Sequence, residues 1–228
     1  MASRSTTLNS NPLLVNSSAA RAVRGRHHWI FSGGIIGRPH HANGALVAVQ
    51  TEAEEHLGFA YFNGRCSLRA RMVSFDHTPP LVALRRRIAE SVALRRRLVP
   101  PQVTGYRLIN AEGDGLPGLV VDHYAGVLVM AISTLGMERL GEQLVWMLLE
   151  EARPTALLER SSGGARHQEG LPDVTQWRYG TAQQSVDIQE GPLTLRVDLT
   201  GGQKTGLFLD QPLTGPVGHK NGRQRSYS

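Results

Sequence analysis

At 228 residues the chain is long enough for one large or two small domains, each with a workable core. A hydrophobic share of 40% and a charged share of 19% exclude a disordered polyelectrolyte, and one cysteine, Cys66, excludes an intrachain disulfide. The net charge of +6 is uneven: residues 1–100 hold fourteen arginines, no lysine and five acids (net +9), whereas residues 101–210 hold eight basic and fourteen acidic side chains (net −6). Such a basic front half points to a polyanion, and nucleic acid is the first candidate.

Residues 1–10 read as a flexible start without a secretory apolar run, so a cytoplasmic protein is expected. The longest uncharged apolar stretch, at residues 124–137, is too short and too β-branched for a membrane span. From residue 11 to 77 the pattern is short strands with turn residues between them. Residues 45–51 (ALVAVQT) and 57–62 (LGFAYF) flank an acidic connection and read as a hairpin. Residues 67–75 (SLRARMVSF) alternate, with Leu68, Ala70 and Met72 on one face and Arg69, Arg71 and Val73 on the other. This predicts a small β-barrel.

The period then changes. In residues 78–101, Leu81, Leu84, Ile88, Val92 and Val99 share a helical face between Pro79-Pro80 and Pro100-Pro101, which predicts a linking helix. Its arginine triplets, residues 85–87 and 95–97, are candidates either for phosphate contact or for a solvated helix face. Residues 102–200 predict a second unit of strand, strand, helix, strand, strand, a small α+β layer. Within it Gly113, Gly115 and Gly118 fit G-x-G-x-x-G, yet no helix follows, and Leu119-Val120-Val121 continues as a strand. The glycines therefore read as turn residues rather than as a nucleotide cradle. Residues 212–228 have no periodicity and predict a disordered tail.

Three blocks carry a family resemblance. RGRHHWIFSGGI at residues 24–35, GDGLPGLVVD at 113–122 and VDLTGGQKTGLFLDQ at 197–211 resemble signature segments of the bacterial 23S rRNA (cytosine-C5) methyltransferases, which use S-adenosyl-L-methionine. The resemblance implies an N-terminal PUA RNA-binding barrel, a small α+β domain and a C-terminal Rossmann-like methyltransferase domain. It also implies large-subunit rRNA as partner, with residues 201–211 leading into the methyltransferase domain. Thr205, Phe208, Asp210 and Gln211 match positions at the edge of the family's cofactor pocket.

After Gln211 the sequence departs from the family pattern, and Cys66 lies in the barrel rather than at the family's nucleophile position. The expected fold class is therefore α+β, a PUA-like barrel and a strand-strand-helix-strand-strand domain, with the Rossmann-like methyltransferase domain missing. The corresponding functional expectation is an RNA-binding, catalytically incomplete chain with no catalytic residue, metal or bound cofactor of its own. Its alternatives are one half of an active enzyme split over two chains, with a separate methyltransferase-domain polypeptide, or a frameshifted product. The expected RNA-binding residues are Arg24, Arg26, His27, Trp29, Arg65, Arg69 and Arg71: arginine contacts phosphate and stacks on bases, and tryptophan offers a stacking platform. The adjacent pairs His27-His28 and His40-His41 lack a spaced third ligand for a metal.

Overall fold

A computed structural model describes residues 9–201. The front of the chain forms one five-stranded sheet from β1 (Asn9–Val15), β2 (Trp29–Phe31), β3 (Leu46–Thr51), β4 (His56–Phe62) and β5 (Leu68–Ser74). Its spatial order is β1-β3-β4-β5-β2, with β1 parallel to β3 and every other pair antiparallel. An antiparallel bridge from Val15 to Ile35 ties the first strand to the residues just after the last one, so the sheet curls toward closure. Helix α1 (Ser17–Arg24) plugs one end.

The sequence reading passed over α1, because eight residues with only Ala20 and Val23 buried leave too little periodic signal. Its start is nevertheless marked: Asn16 caps it, the side-chain oxygen accepting from the Ala19 amide at 3.0 Å. Ala20 and Val23 pack into a core with Leu13, Ile30, Phe62 and Met72.

Helix α2 (Pro80–Leu98) follows, with proline in its first turn and Leu84, Ile88 and Val92 buried. It leans on a second five-stranded sheet: β6 (Gly105–Asn110), β7 (Leu119–Tyr124), β8 (Val127–Ile132), β9 (Ala156–Ser161) and β10 (Val174–Tyr179), in the order β10-β9-β8-β7-β6. Strands β8 and β9 run parallel, joined by α3 (Leu135–Arg139) and α4 (Gly141–Ala152). A parallel pair needs such a crossover, and a helical one covers a sheet face. The opposite face is covered by a hairpin, β11 (Ser185–Glu190) with β12 (Leu193–Asp198), through Ile188 and Val197. Coverage on both sides explains why β8 is apolar throughout instead of alternating. Helix α5 (Gly164–Gln168) lies between β9 and β10.

The expected fold class needs correction here. The expectation of a missing methyltransferase domain came from the departure from the family pattern after Gln211, yet β8, the α3–α4 crossover and β9 form a βαβ unit inside a mixed sheet. Residues 102–200 hold more strands than the four expected: β10 extends the five-stranded sheet, and β11 with β12 forms a separate hairpin.

The two sheets share a core. Leu46, Tyr61 and Val73 of the first sheet pack with Leu84 and Ile88 of α2 and with Leu116 and Met130 of the second. Tyr61 is 1% exposed, and its hydroxyl donates to the Pro117 carbonyl at 2.8 Å. Burial pushes this phenol well above its ordinary pKa, so it remains a donor. Among the described residues no helix is long and apolar enough to cross a membrane.

Candidate nucleic-acid interface

The loop before β3 and the turn between β4 and β5 face each other across an open cleft of about 770 Å³. Two asparagines shape it. Asn43 accepts from the Gly64 amide at 2.8 Å, and buried Asn63 accepts from the Arg65 amide at 3.1 Å. Gly37 and Gly44, with φ of 73° and 79°, let the loop turn twice in the left-handed region. Arg38, His40, His41, Arg65 and Arg69 line the cleft, and no acidic side chain among the described residues lines it. His41 packs edge-on against Phe62 at 5.5 Å, and burial lowers its pKa below the usual histidine value. A concave wall carrying cations of one sign concentrates a polyanion such as RNA.

Beside the cleft, β2 presents Trp29 and Phe31 outward, 40% and 50% exposed. Their rings meet nearly perpendicular at 6.2 Å, and His27 meets Trp29 edge-on at 5.8 Å. The Trp29 indole N–H donates to Glu112 at 2.9 Å, which anchors this aromatic to the second unit.

The seven residues expected to bind RNA fall in different places. Arg65 and Arg69 line the cleft, while His27 and Trp29 border the aromatic recess. Arg26, at φ 64°, lays its guanidinium over Phe75 at 5.4 Å. Arg24 is held by Glu55 in an exposed ion pair. Arg71 does not face solvent: it pairs at 2.5 Å with Glu169, their side chains 14% and 2% exposed. Strand alternation puts Arg69 and Arg71 on one face of β5, but the second unit covers only the Arg71 end. Arg38, His40, His41 and Phe31 were missed. For Arg38, His40 and His41 the sequence signal is a histidine pair next to arginine in an acid-free, glycine-bounded loop; Phe31 carries none beyond its place in a short strand.

The arginine triplets of α2 are mostly engaged within the chain. Arg95 grips Asp114 through two bonds of 2.6 and 2.7 Å, Arg87 donates to the Gly115 carbonyl at 3.0 Å, and Arg85 reaches Glu150 at 2.9 Å. The glycine-rich turn is thus a joint between α2 and the sheet. Gly115 sits at φ +69°, and an added Cβ would lie 1.6 Å from Arg87 Nη1. Replacing Gly115 with Ala is expected to cost about 1–3 kcal/mol, from left-handed strain plus the displaced guanidinium. Urea unfolding measures it; a change within experimental error would show that the turn tolerates a side chain. This turn does not fit S-adenosylmethionine, since a guanidinium already fills the space against its backbone. Thr205, Phe208, Asp210 and Gln211 lie outside the described residues. Cys66 donates to the Gln168 carbonyl at 3.3 Å, and burial raises its thiol pKa, the reverse of an activated nucleophile.

Residues 13–75 match the PUA-like domain family. Ribosomal RNA large subunit methyltransferase I of Shewanella amazonensis is 37% identical over 193 residues, covering 82% of this chain and 48% of the relative. The protein of that name from Pseudoalteromonas atlantica is 32% identical over 206 residues, covering 89% of this chain and 52% of the relative. A solved Streptococcus mutans structure, described as a SAM-dependent methyltransferase, superposes with TM-score 0.74 at 21% identity, over 88% of this chain and 52% of its own. A second solved methyltransferase, complexed with SAH, also gives 0.74, at 20% identity. The chain spans about half the length of the curated relatives it matches.

These superpositions overturn the expected absence of a methyltransferase fold, since 88% of the chain aligns with methyltransferase structures. The reading of a merely RNA-binding, catalytically incomplete chain falls with it. So does the expectation that the chain binds no cofactor. A split enzyme with a separate methyltransferase chain, or a frameshifted product, is no better supported. In sequence the chain is similar to ribosomal RNA large subunit methyltransferases I over about half of their length, residues 13–75 match the PUA-like domain family, and its fold is that of the matching part of solved methyltransferases.

Proposed function

We propose that the chain serves an S-adenosylmethionine-dependent methyltransferase acting on large-subunit ribosomal RNA, and that the acid-free cleft holds that RNA. The carrying observation is the cleft itself: Arg38, Arg65 and Arg69 with two histidines, and no carboxylate among the described residues that line it. Likeness to large-subunit rRNA methyltransferases supports the substrate, and likeness in fold to methyltransferase structures, one complexed with SAH, supports the cofactor. The family resemblance extends this to cytosine C5 as the methylated atom. A ribosomal substrate puts the work in the cytoplasm.

Within the chain, Arg65 and Arg69 supply charge-assisted contacts to phosphate oxygens. Asn43 and Asn63 hold the turn that carries Arg65, so its approach is fixed before RNA arrives. S-adenosylmethionine supplies the methyl group when bound; the resemblance assigns its edge to Thr205–Gln211.

The test is binding of the chain to structured rRNA fragments across a salt series. Affinity should fall steeply, by roughly 0.7–0.9 log units per log unit of salt for each phosphate contact. Arg65→Glu with Arg69→Glu should weaken binding and flatten that slope; an unchanged slope would remove the cleft from the reading. Methyl incorporation into undermethylated large-subunit rRNA, with calorimetric titration of the cofactor, tests the activity directly.

A further inference from the structure

Next to the cleft lies a second recess, of about 330 Å³, with a different chemistry. Its floor is built from small residues, Ala19 and Ala22 of α1 and Gly33 and Gly34 of the turn after β2. The fit there is tight: a Cβ on Gly34 would lie 2.8 Å from the Ala19 Cβ. Its wall is aromatic, Trp29 and Phe31, and His27 is the one ionisable side chain lining it. Among the described residues no arginine, lysine or carboxylate lines it, so they offer a phosphate no fixed counter-charge there. Phe31 is half exposed although the neighbouring Ile30 is 1% exposed, so β2 turns a large ring outward while its middle residue fills the core.

We propose that this recess takes an unpaired nucleobase of the RNA, stacked against Phe31 and Trp29. The proposal rests on the RNA reading of the cleft. Residues of one turn line both features: Phe31, Gly33 and Gly34 face the recess, and Ser32 and Ile35 face the cleft. A strand whose phosphates lie along the arginines therefore has a base within reach of the rings. In a duplex the faces of the bases are already stacked on one another, so only a looped-out or single-stranded nucleotide can use the wall. Base identity matters little. Asn16 is occupied, its oxygen by the Ala19 amide and its Nδ2 by the Gly33 carbonyl, which leaves the Ser18 hydroxyl and the His27 ring as the polar side-chain groups among the described lining residues.

The test uses the full chain and three probes: a mixed-sequence RNA strand of about ten nucleotides, the same strand made abasic throughout, and its duplex. Phe31→Ala should weaken the intact strand about tenfold, the scale of one lost base–aromatic stack, and leave the abasic strand and the duplex nearly unchanged. Phe31→Leu, which keeps apolar bulk and a folded strand, should lose as much, and Phe31→Trp should retain binding. Equal losses on all three probes, no loss on the intact strand, or full binding by Phe31→Leu would each overturn the proposal. Arg65→Glu with Arg69→Glu separates the two readings, because it should weaken all three probes. Undiminished binding by that variant would defeat the cleft reading itself.

Discussion

Glu169→Ala is expected to lower the stability of the chain by about 3–5 kcal/mol, the range for breaking a buried ion pair by removing one partner. Glu169 is 2% exposed and sits where α5 meets the barrel. It accepts from Arg71 at 2.5 Å, from Asn63 Nδ2 at 2.6 Å and from the Leu135 amide at 3.3 Å. Removing the carboxylate strands a guanidinium that is 14% exposed and leaves the buried Asn63 amide with only its longer bond of 3.4 Å to the Glu169 backbone carbonyl. For a chain of this size each kcal/mol moves the melting temperature by roughly 2–4 °C, so a drop of about 6–20 °C should be seen calorimetrically. Glu169→Gln should cost less, since it keeps an acceptor for Asn63 while losing the charge on Arg71. The paired change Glu169→Leu with Arg71→Met should recover most of the loss, because replacing both partners leaves no orphaned charge. A full loss in the double variant would mean that packing around Glu169, not the pair, sets the stability.

This pair also shows where sequence reading stops. The alternation of residues 68–74 correctly separates Ala70 and Met72, which enter the barrel core, from Arg69 and Arg71. Period alone treats the two arginines alike, yet one lines the cleft and the other is sealed against Glu169, ninety-eight residues on. The difference lies in which end of β5 the second unit covers, and that is set by contacts distant in sequence. The same limit applies to α2. Its apolar stripe fixes the buried face through Leu84, Ile88 and Val92, but the partners of Arg87 and Arg95 arise only when the Asp114–Gly115 turn folds over them. A basic run therefore reads as a binding surface until the acids that claim it are located. The cleft was legible only through Arg65 and Arg69, while Arg38 and the two histidines reach it across a loop with no period to read.

Gly136→Ala should be among the most damaging single methyls at the join between the two sheets. Gly136 begins the crossover between β8 and β9 and lies flat against the ring of Tyr61, where an added Cβ would come 2.1 Å from Cγ and 2.3 Å from Cδ2. Neither side can yield easily. Tyr61 is buried, its hydroxyl is tied to the Pro117 carbonyl, and Arg71 stacks over the ring at 6.0 Å from its centre. Accommodating the methyl means sliding the crossover away from the barrel, which opens the core that Leu46 and Val73 share with α2 and the second sheet. Overpacking of this kind costs about 1–3 kcal/mol where side chains can shift, and the upper end or beyond is expected against a fixed ring. Tyr61→Ala alone should cost about 3–5 kcal/mol through the cavity it leaves. The double variant distinguishes a steric clash from a general weakness of the helix start. If the ring is the obstacle, Gly136→Ala should cost little once Tyr61 is already Ala, giving a coupling of about 1–3 kcal/mol in a double-mutant cycle measured by urea unfolding. Additive losses would place the damage in the crossover itself and remove Tyr61 as the contact that sets the distance between barrel and sheet.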